Sequence, residues 1–353
     1  MSPHAESEKT VAAAPAPRAA PPAPKSRVRG YVMLGLKILV ATIALTWLSR
    51  SRSLDFGTLK VLFERPSLLV VDLAVWALAG IFLSSLRWRI LLTLADAHPP
   101  FLRLLRYQLI ALFFNVVVPG NIGGDVLKAY YVARAEAPEK KPTILLLVLV
   151  DRLVGLAGLI GVATVAVALH GNALASDPRT KPLVLTVLLL ALGAFGGPVA
   201  LSLLMRLAGK PLDRLSAGPG KFSQLLGQLT KSVRLVSRRP LILLAAVLVS
   251  MGIHGLAFAL FATLTTQING VAPDYAALAA IFPIGMLSLV LPISPAGVGV
   301  GHVAFAELFK LIGVDGGATI FNVYLVGQIA PAMLGVIPYV LGKRTMPLPE
   351  NVE

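Results

Sequence analysis

The chain carries apolar runs about as long as a bilayer core is thick, and this constrains it more than any other feature. A hydrocarbon core of ~30 Å takes ~20 helical residues. Six stretches meet that length, at about 31–49, 67–94, 142–169, 182–207, 240–267 and 318–342. Inside lipid every backbone N–H and C=O must bond internally, which leaves helices or a closed barrel. Runs this long are helical. Composition agrees, with 56% hydrophobic and 14% charged residues, against ~45–50% and ~25% in ordinary soluble domains. The expected fold is an all-α, polytopic transmembrane helix bundle with no room for a large soluble domain.

The polar remainder orders that bundle. Residues 1–27 form a Pro/Ala-rich leader without apolar periodicity, a composition that stays disordered. No convincing cleavage site follows the first apolar run, so it is not read as a signal peptide. Lys and Arg mark the cytoplasmic side. Lys25, Arg27, Arg29, Arg87, Arg89, Arg103, Arg106, Lys128, Arg134, Lys140, Lys141, Lys343 and Arg344, with eight more between 206 and 239, fall on one side. The other side holds far fewer: Arg50, Arg52, Lys60, Arg65, Arg179, Lys181 and Lys310. Both termini are therefore expected in the cytoplasm of a multi-pass inner-membrane protein. Residues 28–344 are the integral domain, 208–239 a basic cytoplasmic connector and 345–353 a tail.

Two further apolar stretches, about 102–118 and 275–292, break at Pro/Gly clusters and continue as shorter, more polar segments at 125–135 and 300–313. The first starts and ends on the cytoplasmic side of this topology, the second on the outer side. Both are expected to be re-entrant helical hairpins, giving six full spans plus two hairpins. Their tips read Val118-Pro119-Gly120-Asn121-Ile122-Gly123-Gly124 and Leu291-Pro292-Ile293-Ser294-Pro295-Ala296-Gly297, each with a Gly five residues after the first Pro. Paired breaks of opposite sidedness are the trace of an inverted repeat, and such breaks mark binding sites in transporters. Ordinary spans ended by Pro and Gly are the plainer alternative.

Charge inside such a domain has to be accounted for residue by residue. Half-helices starting near Asp125 and Gly299 aim free N–H groups inward, which suits an anion such as a lipid phosphate. Asp125 is equally able to serve as a complement to its own helix. Asp151 and Arg152 lie roughly 13–15 Å into the third long run, at ~1.5 Å per residue, and both should face the bundle interior. Neighbours in sequence do not face each other on a helix, so each needs a partner elsewhere. For Arg152 that partner is Asp125 or a bound phosphate; a structural ion pair near the interface is the alternative. Asn115, Gln108, His254, His302, Glu307, Asn322 and Gln328 also sit in apolar surroundings, where interhelical hydrogen bonding is the common role. His302 and Glu307 rank first among them, because they follow the second tip; for Glu307 a snorkelling position near the outer surface is the alternative.

Several chemistries lack their signatures. Cys is absent, so there is no thiolate site or disulfide. No Lys-Ser/Thr follows the glycines of GNIGGDVLK, so there is no ATP-binding P-loop. The five His lack metal spacing, and no GxSxG elbow occurs. No nucleic-acid motif accompanies the formal charge of +15. No cofactor and no enzymatic activity are expected.

The run FFNVVVPGNIGGDVLKAYYVAR, then LVDRLVGL, then LPISPAGVGVGHVAFAELF resembles the flippase-like membrane domain, the transmembrane region of lysylphosphatidylglycerol synthases. The likeness covers roughly residues 30–342. It implies movement of lipids or lipid-linked headgroups between leaflets, as in the flippase part of aminoacyl-phosphatidylglycerol synthases and relatives linked to hopanoids and glycolipids. By position, the family's motif residues fall on Asn115, Pro119, Gly123, Gly124, Asp125, Asp151, Arg152, Pro292, Pro295, Gly297 and Gly299. Many members carry Glu just after the second tip, where this chain has His302; an acid role there is either lost or passes to Glu307. The synthases' aminoacyl-transferase domain has no counterpart, so lipid aminoacylation by this chain alone is not expected.

The leading expectation is a translocase for an anionic phospholipid or lipid-linked headgroup. The substrate would be held by Asn115, Pro119, Asn121, Gly123, Gly124, Asp125, Asp151, Arg152, Ser294, Gly297, Gly299, His302 and Glu307. Its partner is membrane lipid, with no nucleic acid. Protons acting through His302, Glu307 or Asp125 would drive it, or transport is passive. A second reading is a non-transporting scaffold that docks a lipid- or glycan-modifying enzyme through 208–239. A third, a transferase acting on a lipid phosphate, finds only Asp55, Glu64, Asp177 and a few other acids on the outer loops, without a motif.

Overall fold

The computed structural model describes residues 60–117, 123–176, 180–197, 238–290 and 295–341, with isolated positions between 177 and 237. All regular structure among these is helical. A short α1 (Lys60–Glu64) leads into α2 (Pro66–Ala95), which is π-helical from Trp76 to Leu83. There follow α3 (Phe101–Val117), α4 (Gly123–Ala135), α5 (Lys141–Ser176), α6 (Lys181–Gly196), α7 (Pro240–Asn269), α8 (Tyr275–Ser288), α9 (Val300–Leu311), α10 (Gly317–Met333) and α11 (Val336–Leu341).

The sequence sets these boundaries by familiar means. Pro66 and Pro240 open their helices at first-turn positions, where a missing N–H costs nothing. The Asp274 carboxylate caps α8, accepting from the amides of Ala276 at 2.8 Å and Ala277 at 3.3 Å. Asp96, in a left-handed conformation with φ 49°, ends α2 ahead of Pro99 and Pro100.

Among the described residues four helices are long and apolar enough to cross a membrane: Pro66–Ala95, Pro138–Asn172, Pro240–Asn269 and Gly317–Leu341. They match four of the six expected spans. The described part of the fifth, Lys181–Gly196, has only helical length short of a crossing. The remaining one, 31–49, and the leader lie outside the described residues, as does almost all of the connector 208–239.

Both broken stretches fold back on themselves. Along α3 and α4, Ala111 meets Gly124 and the Tyr107 ring meets that of Tyr131 at 5.3 Å. Positions falling on α3 are matched by positions rising on α4, so the pair is antiparallel. Along α8 and α9, Leu289 meets Gly297 and Gly301, while Gly285 meets Phe305. The four arms have 17, 13, 14 and 12 residues. At ~1.5 Å per residue none reaches ~30 Å.

The hairpins enter from opposite ends of the bundle. At one end Lys140 Nζ donates to the Asp96 carbonyl at 2.6 Å, and Arg239 donates to the Thr93 carbonyl at 3.1 Å. That gathers the end of α2, both ends of the α3–α4 hairpin and the start of α7. At the other end Asn269 donates to the Asp315 carbonyl at 3.2 Å, and Arg65 donates to the Gln267 carbonyl. That gathers the start of α2, the end of α7 and the region just after α9.

Each hairpin has its own apolar core. One joins Trp88, Leu91, Tyr107, Ile110, Val132, Leu147 and Ala246 from α2, α3, α4, α5 and α7. The other joins Phe261, Phe282, Phe305, Phe321 and Tyr324 from α7 to α10. Val116, near the end of α3, and Ala296 both belong to the latter core, and α3 packs against residues 295–297 inside the molecule. The outside is apolar too: Leu145, Leu149 and Leu153 form an exposed stripe one turn apart on α5. That is the surface of a helix facing lipid.

Close backbone approach holds the first hairpin. A Cβ on Gly124 would strike the Ala111 backbone, its Cα at 2.8 Å, whereas one on Gly252 has nothing within 4 Å. Gly124→Ala should therefore lower stability by about 1–3 kcal/mol. Gly252→Ala should leave it unchanged or slightly higher. Thermal unfolding of the two variants in detergent checks the contrast.

Candidate functional site

Five charged side chains from three helices meet beside the start of α4. Arg87 comes from α2, Asp125 and Lys128 from α4, and Asp151 and Arg152 from α5. Arg87 Nε donates to Asp151 Oδ1 at 2.7 Å, and Lys128 Nζ donates to Asp151 Oδ2 at 3.0 Å. Lys128 also lies 3.3 Å from Asp125 Oδ1 and 4.8 Å from the Trp88 ring centre. Arg152 Nη2 donates to Asp125 Oδ2 at 2.7 Å. At the far end Arg87 Nη1 donates to Ser250 Oγ on α7 at 3.1 Å, and that hydroxyl donates to the Ala246 carbonyl at 2.9 Å. The result is an alternating chain of three cations and two anions.

Local sequence explains the assembly. Asp125 and Lys128 stand three residues apart on one face of α4. Asp151 and Arg152 diverge by a third of a turn, so one turns to Arg87 and Lys128 while the other reaches Asp125. The lipid-facing stripe at Leu145, Leu149 and Leu153 fixes that rotation of α5. Small residues supply the space. A Cβ on Gly155 would come within 3.2 Å of Arg87 Nη1, and one on Gly158 would collide with Ser250. The first tip is fastened to the same site, because the Gly124 amide donates to Asn115 Oδ1 at 2.9 Å and Asn115 Nδ2 donates to Asp125 Oδ1 at 3.5 Å.

Burial grades along the chain. Side-chain exposure is 3% for Lys128 and 4% for Asp151, 15% for Asp125 and 34% for Arg152. The inner ion pair is sealed, and the outer one opens at a guanidinium. Among the described residues the cluster holds three positive and two negative groups, and Arg152, the most exposed of the five, carries a planar guanidinium of the kind that binds oxyanions. Among the described residues no three His, Asp or Glu converge in a manner able to hold a metal ion.

The structure thus brings together Asn115, Gly123, Gly124, Asp125, Asp151 and Arg152, and it forms the expected Asp125–Arg152 pair. Asp125 also lies in the first turn of its helix, so both roles weighed for it are present. Pro119, Asn121 and Ser294 lie outside the described residues. Gly297 and Gly299 hold left-handed conformations, φ 76° and 82°, in the second tip. The Gly299 amide donates to His302 Nδ1 at 3.3 Å, and the His302 ring meets the Phe321 ring edge-on at 5.0 Å. Glu307 pairs with Lys310 at 2.9 Å on an exposed face, away from the cluster. Gln108 and His254 act as interhelical glue, bonding the carbonyls of Gly80 and Gly155 at 3.1 Å each.

Two members of the cluster correct the charge count by side: Arg87 and Lys128, expected with the cytoplasmic cations, lie within α2 and buried on α4. Their depth follows from helices that begin and end beyond them. The one available signal was the spacing of Lys128 three residues after Asp125.

Breaking one partner of a buried pair leaves an uncompensated charge, at a cost of about 3–5 kcal/mol. Lys128→Met and Asp151→Asn should each destabilise by that order. The double variant should lose less than the sum, with coupling of about 0.5–3 kcal/mol. A thermal-unfolding double-mutant cycle measures it.

Comparison with known proteins bears on the whole domain. A curated relative, a UPF0104 membrane protein of Methanothermobacter thermautotrophicus (strain Delta H), is 38% identical over 56 residues, a stretch covering 16% of each chain. No solved structure matches. The family model for the lysylphosphatidylglycerol synthase TM region matches residues 33–337. With its apolar helices and this match across most of its length, the chain belongs to the lysylphosphatidylglycerol synthase transmembrane-region family of membrane proteins.

Proposed function

We propose that the protein is a membrane lipid translocase of the flippase-like kind, moving an anionic phospholipid or lipid-linked headgroup between leaflets through a cavity near the midplane. The observation that carries this reading is the buried ion-pair chain ending at Arg152 beside the start of α4. Charges at this depth are retained where they line a substrate path or pair with one another, and here one cation stands at the accessible end.

In this reading the domain has six full spans and two re-entrant hairpins in an inverted repeat, with both termini on the cytoplasmic side of the inner membrane. Three features support it: arms too short to cross, hairpins entering from opposite ends, and the packing of α3 against residues 295–297. The headgroup phosphate takes its place against Arg152 and the start of α4, whose first amides carry the positive end of the helix dipole. The acyl tails stay in lipid, and the two halves rock about the contact between α3 and residues 295–297. The protein itself carries out no covalent chemistry.

The alternative remains a scaffold for a lipid- or glycan-modifying enzyme, docked through 208–239. Purified protein in liposomes with labelled anionic lipids separates the two. The translocase reading predicts headgroup transfer that falls at least tenfold in Arg152→Gln, whose folding is checked by thermal unfolding. It also predicts unchanged transfer when Lys210, Arg214, Lys221 and Lys231 are neutralised together. No transfer of any anionic lipid by the unsubstituted protein would contradict it.

A further inference from the structure

A second ionisable group lies deep in the bundle, outside the cluster. Asp72 on α2 has no solvent exposure, and among the described residues neither carboxylate oxygen has a hydrogen-bond partner. It packs onto Gly327 of α10 so closely that a Cβ there would overlap both oxygens. The Gly327 backbone lies alongside without hydrogen-bond geometry.

The groups that face Asp72 carry no positive charge among the described residues. From α10 the Tyr324 phenol faces it. One turn along its own helix Trp76 packs on Tyr324 at 5.2 Å between ring centres, and its Nε1 also has no partner. On α7 the titratable group is His254, bonded to the Gly155 carbonyl. On α3 Gln108 is bonded to the Gly80 carbonyl, and Arg103, Arg106 and Tyr107 lie nearer the opposite end of the bundle. Arg87 is engaged by Asp151, about four turns farther along α2.

We propose that Asp72 is a proton-binding site, and that its proton exchanges with water during the cycle that moves lipid. Three observations lead there. A lone carboxylate with no cation or donor is the costliest state for this position, whereas a carboxylic acid carries no charge. The contact with Gly327 leaves no space for a metal ion and its ligands, while a proton needs none. The π-helical segment beginning at Trp76 adds one residue to a turn, and such bulges sit at functional places in helices. A register shift there would rotate Asp72 off Gly327 toward water. The second hairpin packs against the same core as α10, so its movement and the α2–α10 contact are mechanically joined.

The coupling part rests on the translocase reading; the proton site does not. Infrared spectroscopy of the full chain in lipid nanodiscs tests the site directly. At pH 7 the chain should show a carboxylic-acid C=O band that shifts in D2O and is missing in Asp72→Asn. Gly327→Ala, which presses on the carboxyl, should displace the same band if Asp72→Asn does not fold. An unchanged band in both variants, or one that does not shift in D2O, overturns the proposal.

Proteoliposomes under an imposed pH gradient test the coupling. The unsubstituted protein should redistribute labelled anionic lipid at least threefold in response to the gradient. Asp72→Asn should keep basal exchange and lose that response. Lipid exchange that ignores the gradient overturns the coupling and leaves the translocase standing. No exchange at all overturns the translocase and leaves the infrared result to decide the proton site.

Discussion

The requirement that charge inside a bilayer be compensated governs this structure. An isolated Arg or Asp at the centre of a span costs roughly 2.5–3.5 kcal/mol on insertion scales. Here five such residues cancel one another in sequence, from Ser250 and Arg87 through Asp151, Lys128 and Asp125 to Arg152. The chain of contacts ties α2, α4, α5 and α7 together at one level. It also sets the rotation of α5, because placing Asp151 inside leaves Leu145, Leu149 and Leu153 outside. Nearby small residues follow from the same need, since Gly155 and Gly158 make space for Arg87 and Ser250.

The two hairpins divide the rest of the work. The first carries Asp125 and Lys128 on its second arm and is anchored by those charges. The second is held by stacked aromatic rings; Phe305 and Phe321 lie 5.2 Å apart with planes 18° from parallel. An ionic half thus faces an aromatic half where α3 packs against residues 295–297. Aromatic packing tolerates sliding more readily than a fixed set of charge-assisted bonds. In a rocking mechanism the second half is the natural moving part.

Much of this was readable from residue order. Lipid thickness made four of the six long spans legible to within a few residues, and Pro/Gly clusters located both breaks. The Asp125–Arg152 pair followed from depth and helical angle. What stayed hidden depended on helix rotation and on contacts between distant segments. Arg87 and Lys128 looked like boundary cations because a count by side records neither depth nor facing. Asp72 did carry a signal, an acid inside the 67–94 run, but its surroundings could not be read from that run. The feature that makes it unusual is its contact with Gly327, far along the chain. Glu307 lies on an exposed face with Lys310, because position beside a tip does not determine which way a helical side chain turns.

The central claim is that two opposed hairpins enter the membrane without crossing it. The chain has no cysteine, so single cysteines placed at the exposed positions His98, Ala137, Val271 and Asp315 report their own side when treated with a membrane-impermeant maleimide. The account predicts that 98 and 137 label from the cytoplasmic face and that 271 and 315 label from the outer face. Labelling of 98 and 137 from opposite faces would make the first broken stretch a single crossing, and would contradict the account.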